Sequence, residues 1–503
     1  MSSAASLPTS GPTSGSGSGK KPKESRRWLK PRVPKEQLYR LSPRRPKPKR
    51  LGRMERWDWI RRVIRTWWIW LAAAIAAHLA GHWIWTAITG ALSFFFYHTT
   101  PESHPAVYAL ETDLNVESPE FPLTMAGMTG MPLVPGNQVA IFNNGDEFFP
   151  EMLQAIESAA HSITMEQYIF WDGAVGRRFA EVFAEKARDG VSVKLLLDAV
   201  GSSTLGEPLL KILEAGGCQL AWFRPIHWYT MNRANRRDHR KSLIVDGKIA
   251  FTGGAGLADH WLGEAEDPSS WRDIMIRVEG PAALEQQSGF AQNWVQSTGE
   301  ILTGLDYFPL PGPADDAAPK SVAVQTILSS PFEGTGASGT MHLLALQCAR
   351  RHLYIANPYF IPDARLIDML ARACGRGVAV KLMIAGDHND TWWARQNSLR
   401  LYGKLLEGGV EIFEFLPTML HQKVVIVDDA WASVGTANFD NRSFALNDET
   451  SVCFHDRELV NQLHDTFLAD LERCAKVQLA DWKRRGFWQR AGEQVASLME
   501  DQM

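Results

Sequence analysis

Cysteine is scarce. Five residues in 503 (Cys218, Cys348, Cys374, Cys453, Cys474) are widely scattered, with no CxxC pair and no zinc spacing. That pattern argues against a disulfide framework, and the five read as ordinary buried thiols. Acidic residues are nearly missing from the first 66 positions. Four of them (Glu24, Glu36, Glu55, Asp58) face 19 Lys and Arg there, a charge of +15 within a chain whose net charge is −3. The remaining residues therefore carry −18, so the chain reads as a basic arm on an acidic body. Charge is missing altogether from Trp67 to Tyr97, a run of 31 residues. Most of the rest is too polar for a polytopic membrane protein, and 45% hydrophobic residues exclude a wholly disordered chain.

Residues 1–66 are Ser/Gly/Pro-rich and then alternate Lys, Arg and Pro, a composition that predicts a disordered basic tail. Its cluster Arg44, Arg45, Lys47, Lys49 and Arg50 suits anionic lipid head groups better than nucleic acid, because an apolar segment follows. A transmembrane helix needs about 20 apolar residues, so residues 67–97 predict one span, with Gly81 and Gly90 as candidate ends or bends. Tryptophans stand near both edges, and Arg56, Arg61, Arg62 and Arg65 precede it, which predicts a cytoplasmic N-terminus. A re-entrant or interfacial helix is the alternative.

The body repeats itself. Residues 152–198 and 341–385 each read helix, strand, helix, strand, with ITMEQYIF matching LYIANPYF and VSVKLLL matching VAVKLMI. Helices end at Gly190 and Gly377. Each copy continues into a helix, a strand (QLAWF, EIFEF) and a His-containing motif. The alternation predicts an α/β fold with a mainly parallel sheet. Two similar units, 135–308 and 321–490, joined by the Pro/Ala/Asp-rich linker 309–320, are expected to pack about a pseudo-two-fold axis.

Each unit carries HxKxxxxD followed by glycine: His239, Lys241, Asp246 and Gly253 in the first, His421, Lys423, Asp428 and Gly435 in the second. The pattern predicts a β-hairpin, and residues i and i+2 of a strand share a face. Each His therefore projects with its Lys. A two-fold would gather two imidazoles and two ammonium groups around one anion, which suits phosphate. Asp246 and Asp428 fall at the turns, where Asp is common, and are expected to act as supports. Asp273 and Glu449 lie 34 and 28 residues after the respective His, and a carboxylate on Nδ1–H would fix the tautomer. Thr436 and Asn438 end the second hairpin, where they could donate to phosphate oxygens.

These residues resemble the phospholipase D superfamily, whose signature is this duplicated motif, and are closer still to bacterial cardiolipin synthases of the phospholipase D type. The stretches are RRDHRKSLIVDGKIAFTGG, NPYFIPD and HQKVVIVDDAWASVGTANFDNRSFALNDE, with the apolar segment ahead of them. The resemblance implies two phospholipase D-like units and a ping-pong phosphatidyl transfer through a phosphohistidine, with neither metal nor cofactor. His239 is then the nucleophile and His421 the general acid/base. Lys241, Lys423 and Asn438 hold the phosphate, and Asp273 and Glu449 orient the histidines. The implied substrates are phospholipids, with phosphatidylglycerol giving up glycerol. The implied setting is a bacterial inner membrane gripped through the basic tail, with no nucleic acid partner. A hydrolase of the same superfamily and a non-catalytic membrane scaffold are the rivals. One chain suffices for a complete site. The sequence departs from the pattern once: Gly256 stands in the first unit where Asn438 stands in the second. Trp228, Tyr229, Trp392 and Trp393 are expected in loops beside the motifs, as rests for acyl chains.

Overall fold

The computed structural model describes residues 63–99, 112–227, 235–310, 321–331 and 336–502. Nearly all of the expected basic tail, most of the linker 309–320, and Trp228 and Tyr229 lie outside them.

The expected transmembrane helix is not there. The uncharged segment forms two helices, Trp67–Leu79 and Trp83–Thr99, of 13 and 17 residues. At 1.5 Å per residue they reach about 20 and 26 Å, short of a hydrocarbon core of about 30 Å. Among the described residues no helix is long and apolar enough to cross a membrane. The break has a local cause. Gly81 takes φ 75°, the left-handed region that glycine enters most readily. The His82 N–H then bonds back to Ala77 O and the Gly81 N–H to His78 O, a Schellman ending. Gly90 lies inside the second helix. The two helices fold back on each other: Trp67 meets Tyr97 edge-on at 5.3 Å, Trp70 stacks on Phe96, and Ser93 Oγ donates to Trp67 O. Leu79, Trp83 and Trp85 remain exposed.

The body is built on one sheet. The first unit supplies β1 (Val134–Asn143), β2 (Ser162–Gln167), β3 (Ser192–Asp198), β4 (Gln219–Phe223), β5 (Lys241–Val245), β6 (Ile249–Gly253) and β7 (Ile274–Glu279). The second supplies β8 (Val322–Ser329), β9 (His352–Ala356), β10 (Phe360–Ile361), β11 (Ala379–Ala385), β12 (Glu411–Phe415), β13 (Val424–Val427), β14 (Trp431–Gly435), β15 (Phe439–Asp440), β16 (Glu449–Phe454) and β17 (Cys474–Lys476). Fifteen strands run in the order β17-β12-β11-β9-β13-β14-β16-β8-β1-β7-β6-β5-β2-β3-β4, and β10 pairs with β15 apart from them. Read outward from the β8–β1 seam, the two halves list equivalent strands in the same order, with β17 added at one edge.

The expected mainly parallel sheet is corrected to a mixed one. Within the fifteen-stranded sheet only β2–β3–β4 and β9–β11–β12, where helices make the crossovers, pair in parallel, as the separate pair β10–β15 also does. The motif hairpins β5–β6 and β13–β14 are antiparallel, as a tight turn requires, and so are their neighbours and the seam. At the seam Asn137 is buried yet satisfied: its amide donates to Val134 O and Val322 O, and its Oδ1 accepts from the Ala282 N–H. Hydrophobic cores lie between the sheet and helices such as Ala174–Arg188 and Ala364–Gly375. Asp363 caps the second of these by accepting from the N–H groups of Arg365 and Leu366.

Candidate active site

Both motifs sit at the mouths of their hairpins. Lys241 opens β5, with His239 two residues before it, and His421 and Lys423 lead directly into β13. The strands are buried on both faces, so the apolar runs after each Lys fix the register that sets the His and Lys in place. Asp246 and Asp428 lie at the other end of the hairpins, in the turns, at φ 51° and 55°. The Asp246 carboxylate accepts from the N–H groups of Ala160, His161 and Ser162, and that of Asp428 from Arg350, Arg351 and His352. The structure thus ties these two acids to the start of β2 and β9 and does not bring them to the histidines.

The histidines exchange partners across the two units. His239 Nδ1 lies 3.0 Å from Glu449 of the second unit, and His421 Nδ1 lies 2.9 Å from Asp273 of the first. Backbone bonds enforce the crossing: the His239 N–H donates to Asp448 O and the His421 N–H to Arg272 O. Two buried ion pairs lock the segments. Arg237 is 2.9 Å from Asp198, and Arg272 is 2.9 Å from Asp470, whose carboxylate also accepts from the Gln422 amide. Asp470 therefore holds the residue before Asp273 and the residue after His421 at once. The spacing in sequence counts each acid from the His of its own unit; the fold pairs it with the other.

Lys241 donates to His239 O at 2.9 Å, and Lys423 lies against the His421 ring and carbonyl. All six residues (two His, two Lys, Asp273, Glu449) are buried. Burial depresses the cations: it lowers His239 to about 4, with Lys241 and Lys423 adding to the effect against Glu449. Lys241 falls to about 8 and Lys423 to about 7, both chiefly by desolvation. His421 is lowered by burial and Lys423, against the pull of Asp273. Burial alone would raise the two acids, but it is outweighed. The His239 contact, Lys241 and the Thr436 hydroxyl hold Glu449 near 2, and the His421 contact and Lys423 hold Asp273 low. The His239 imidazole, neutral and backed by Glu449, carries Nδ1–H and leaves Nε2 as the lone pair. The two ammonium groups are buried and poorly solvated, and a bound phosphodiester would favour their charged forms.

The two halves differ where Gly256 replaces Asn. Thr436 donates to Glu449 Oε2. At the matching place Gly254 has no side chain, and a Cβ there would lie 2.2 Å from Asp273 Oδ1. The Trp261 indole N–H donates to Asp273 Oδ2 instead, at 2.9 Å. A Cβ on Gly256 would meet Ile169 at 2.7 Å and the Trp261 ring at 3.0 Å. The tryptophan has thus taken both the hydrogen bond and the space. Asn438, at the matching place of the second half, is buried with its N–H donating to Ser443 Oγ and its Oδ1 without a hydrogen-bond partner among the described residues.

Trp261 was not evident from the sequence, where it follows the motif as one of 19 tryptophans. Two further rings were also missed. Trp271 lies 5.4 Å from the His421 ring, and Tyr168 lies 5.1 Å from His239 and 5.5 Å from Lys241 Nζ. The only sequence signal for Trp271 was its place beside Arg272-Asp273. Trp392 and Trp393 begin the helix Trp392–Glu407 and are half-exposed, where a loop was expected.

Residues 152–294 and 343–471 match the protein family described as "Cardiolipin synthase, PLD-like domain". Cardiolipin synthase of Geobacillus kaustophilus is 33% identical over 369 residues, 73% of this chain and 73% of that protein. Cardiolipin synthase A of Pseudomonas putida is 33% identical over 379 residues, 75% of this chain and 77% of its own length. Among solved structures, phosphatidylserine synthase of Haemophilus influenzae superposes with a TM-score of 0.57 at 12% identity, covering 76% of this chain and all of that one. At that identity the last likeness speaks for the fold alone.

Proposed function

This chain belongs to the cardiolipin synthase family with its PLD-like domain and is a phospholipase D-type phosphatidyltransferase; on that premise we propose that it joins two phosphatidylglycerol molecules into cardiolipin and releases glycerol. The observation that carries the reading is the crossed pair of imidazole–carboxylate contacts, His239–Glu449 and His421–Asp273, with a lysine beside each.

His239 is the nucleophile. Its strong depression by burial keeps it neutral, and Glu449 engages Nδ1, so the Nε2 lone pair attacks phosphorus. The P–O bond to glycerol breaks, and His421 gives that oxygen a proton, leaving a phosphatidyl-histidine. His421, now neutral, takes the proton from a hydroxyl of the second phosphatidylglycerol. The new oxygen attacks phosphorus, the P–N bond breaks, and His239 is restored. Glu449 stabilises the imidazolium that His239 passes through, and Asp273 does the same for His421. Lys241 and Lys423 supply positive charge to the phosphoryl oxygens, and Asn438 turns an amide to them. Asymmetry follows: the amide donor for phosphate comes from the second unit alone, because Trp261 and Ile169 fill the matching place in the first.

The uncharged hairpin 67–99 suits attachment to the bilayer surface without crossing it, through exposed Trp83, Trp85 and Leu79. Holding the site beside its lipids raises their effective concentration. The test is turnover of labelled phosphatidylglycerol by purified full-length protein. Cardiolipin and glycerol in equal amounts are expected. Phosphatidic acid alone would make water the acceptor and the chain a hydrolase. Protein quenched in denaturant at alkaline pH should hold phosphorus label as an acid-labile phosphoramidate, and His239→Ala should lose both label and turnover. His421→Ala should lower turnover by about 10²–10⁴-fold. Turnover in His239→Ala equal to wild type would sink the assignment.

A further inference from the structure

At the far end of the second hairpin three donor groups converge outside the active site. His352 opens β9, Asp429 sits in the β13–β14 turn, and His464 projects from the helix Arg457–Leu471. Asp429 Oδ1 lies 2.9 Å from His352 Nε2 and 2.7 Å from His464 Nδ1. All three donor atoms lie within 4.8 Å of one another. His352 Nε2 and Asp429 Oδ1 are shielded from solvent, and their close approach to each other is not a well-directed hydrogen bond. The Tyr354 ring packs against both imidazoles, at 4.7 and 5.3 Å.

The repeat supplies an internal control. In the first unit Ser162 opens β2 where His352 opens β9: the Asp246 N–H donates to Ser162 O as the Asp428 N–H donates to His352 O. The turn residue matching Asp429 is Gly247, at φ 62°. Asp429 holds the same left-handed backbone at φ 52°. Glycine adopts that conformation at lower cost than any residue with a Cβ. The second unit has therefore put an imidazole and a carboxylate where its twin has a hydroxyl and no side chain, against the backbone preference at one of the two places.

We propose that His352, Asp429 and His464 form a binding site for a first-row divalent metal ion, zinc by preference, which staples the β13–β14 turn to the start of β9 and to the helix Arg457–Leu471. Two imidazoles and one carboxylate are a zinc-type ligand set with room for water at a further position. An ion bound at about 2.0–2.1 Å from each donor sets them roughly 3.3 Å apart. That value falls between the two short separations and the limit of the third, so small side-chain rotations suffice. β13 separates the site from His421 and Lys423, which precede that strand, whereas Asp429 follows it. The ion would act on the fold and take no part in transfer.

Untagged full-length protein, stripped by a chelator and dialysed, is titrated with Co²⁺ as a visible probe. The expected result is one saturable equivalent with a visible d–d band, displaced by Zn²⁺, and an upward shift in Tm when Zn²⁺ is added. Asp429→Gly copies the turn of the first unit, so it keeps the backbone while removing the carboxylate. It should weaken Co²⁺ binding by more than about 100-fold, beyond the loss typical of groups that only orient ligands. His464→Ala should do the same, and His421→Ala should leave the band intact. Absence of a saturable band, or a band that survives in Asp429→Gly and disappears in His421→Ala, overturns the proposal.

Discussion

The Trp261 indole and the Thr436 hydroxyl each donate to a carboxylate that in turn contacts a histidine, one in each half of the site. A hydrogen bond to a charged group contributes about 1.5–3 kcal/mol, so losing the Trp261 bond should raise the Asp273 pKa and weaken its hold on His421. Trp261→Phe keeps most of the ring. It should lower kcat by roughly tenfold or more with KM little changed, because Asp273 does not touch the substrate. As a depressed carboxylate, Asp273 works above its pKa and fails as pH falls, so the acid limb of the rate profile should move to higher pH in this variant. An unchanged acid limb would mean the indole merely fills space. The lysines set the other limb. Lys423 at about 7 and Lys241 at about 8 lose their protons as pH rises. The free enzyme's kcat/KM should therefore decline on the alkaline side through that window, while kcat, measured with phosphate bound, should hold to higher pH. Lys423→Arg keeps its charge and should push the kcat/KM limb upward, at some cost in rate from poorer fit. An alkaline limb at the same pH in that variant would assign it to another group.

At the scale of the hairpin, the sequence told more than for any other element. The motif HxKxxxxD, its flanking apolar runs and the turn acids dictate two antiparallel strands, and each His and Lys falls where period-two alternation puts it. Partnership between the acids and histidines was not legible, because it depends on contacts 210 and 148 residues apart in the chain. Parallel pairing was over-read for a related reason: a helix between strands announces a crossover, but which strand lies on the other side of β2 or β9 is a tertiary choice. The turn acids give a direct test. Asp246→Ala or Asp428→Ala orphans three backbone N–H groups at the start of a buried strand. Either change should cost about 1–3 kcal/mol in urea unfolding, with kcat largely kept in the protein that remains folded. A loss of rate as complete as that of His239→Ala, without a loss of stability, would instead place these acids in the chemistry.

On the scale of the whole molecule, the apolar segment shows how composition can count correctly and still mislead. Thirty-one uncharged residues are enough for one span, and the charge pattern ahead of them suits one. What composition could not weigh is a single glycine at its middle, where the left-handed turn at Gly81 and two returning hydrogen bonds cost the helix its length. The consequence reaches the orientation of the enzyme. One span would put the site and the N-terminus on opposite faces of the membrane. Two short helices that turn back on each other return the end of the segment toward its start, so the chain on either side of it is expected on one face. Reporters that signal only in the cytoplasm, fused before Met1 and after Met503, should therefore both signal or both stay silent. The basic residues favour both signalling. Opposite readings from the two fusions would restore a span. In Gly81→Leu the Schellman ending is unfavourable, because a side chain resists φ 75°. That substitution should bias the two short helices toward one long one, and a change of reporter pattern in it alone would show that Gly81 keeps the catalytic body and the basic arm on the same side.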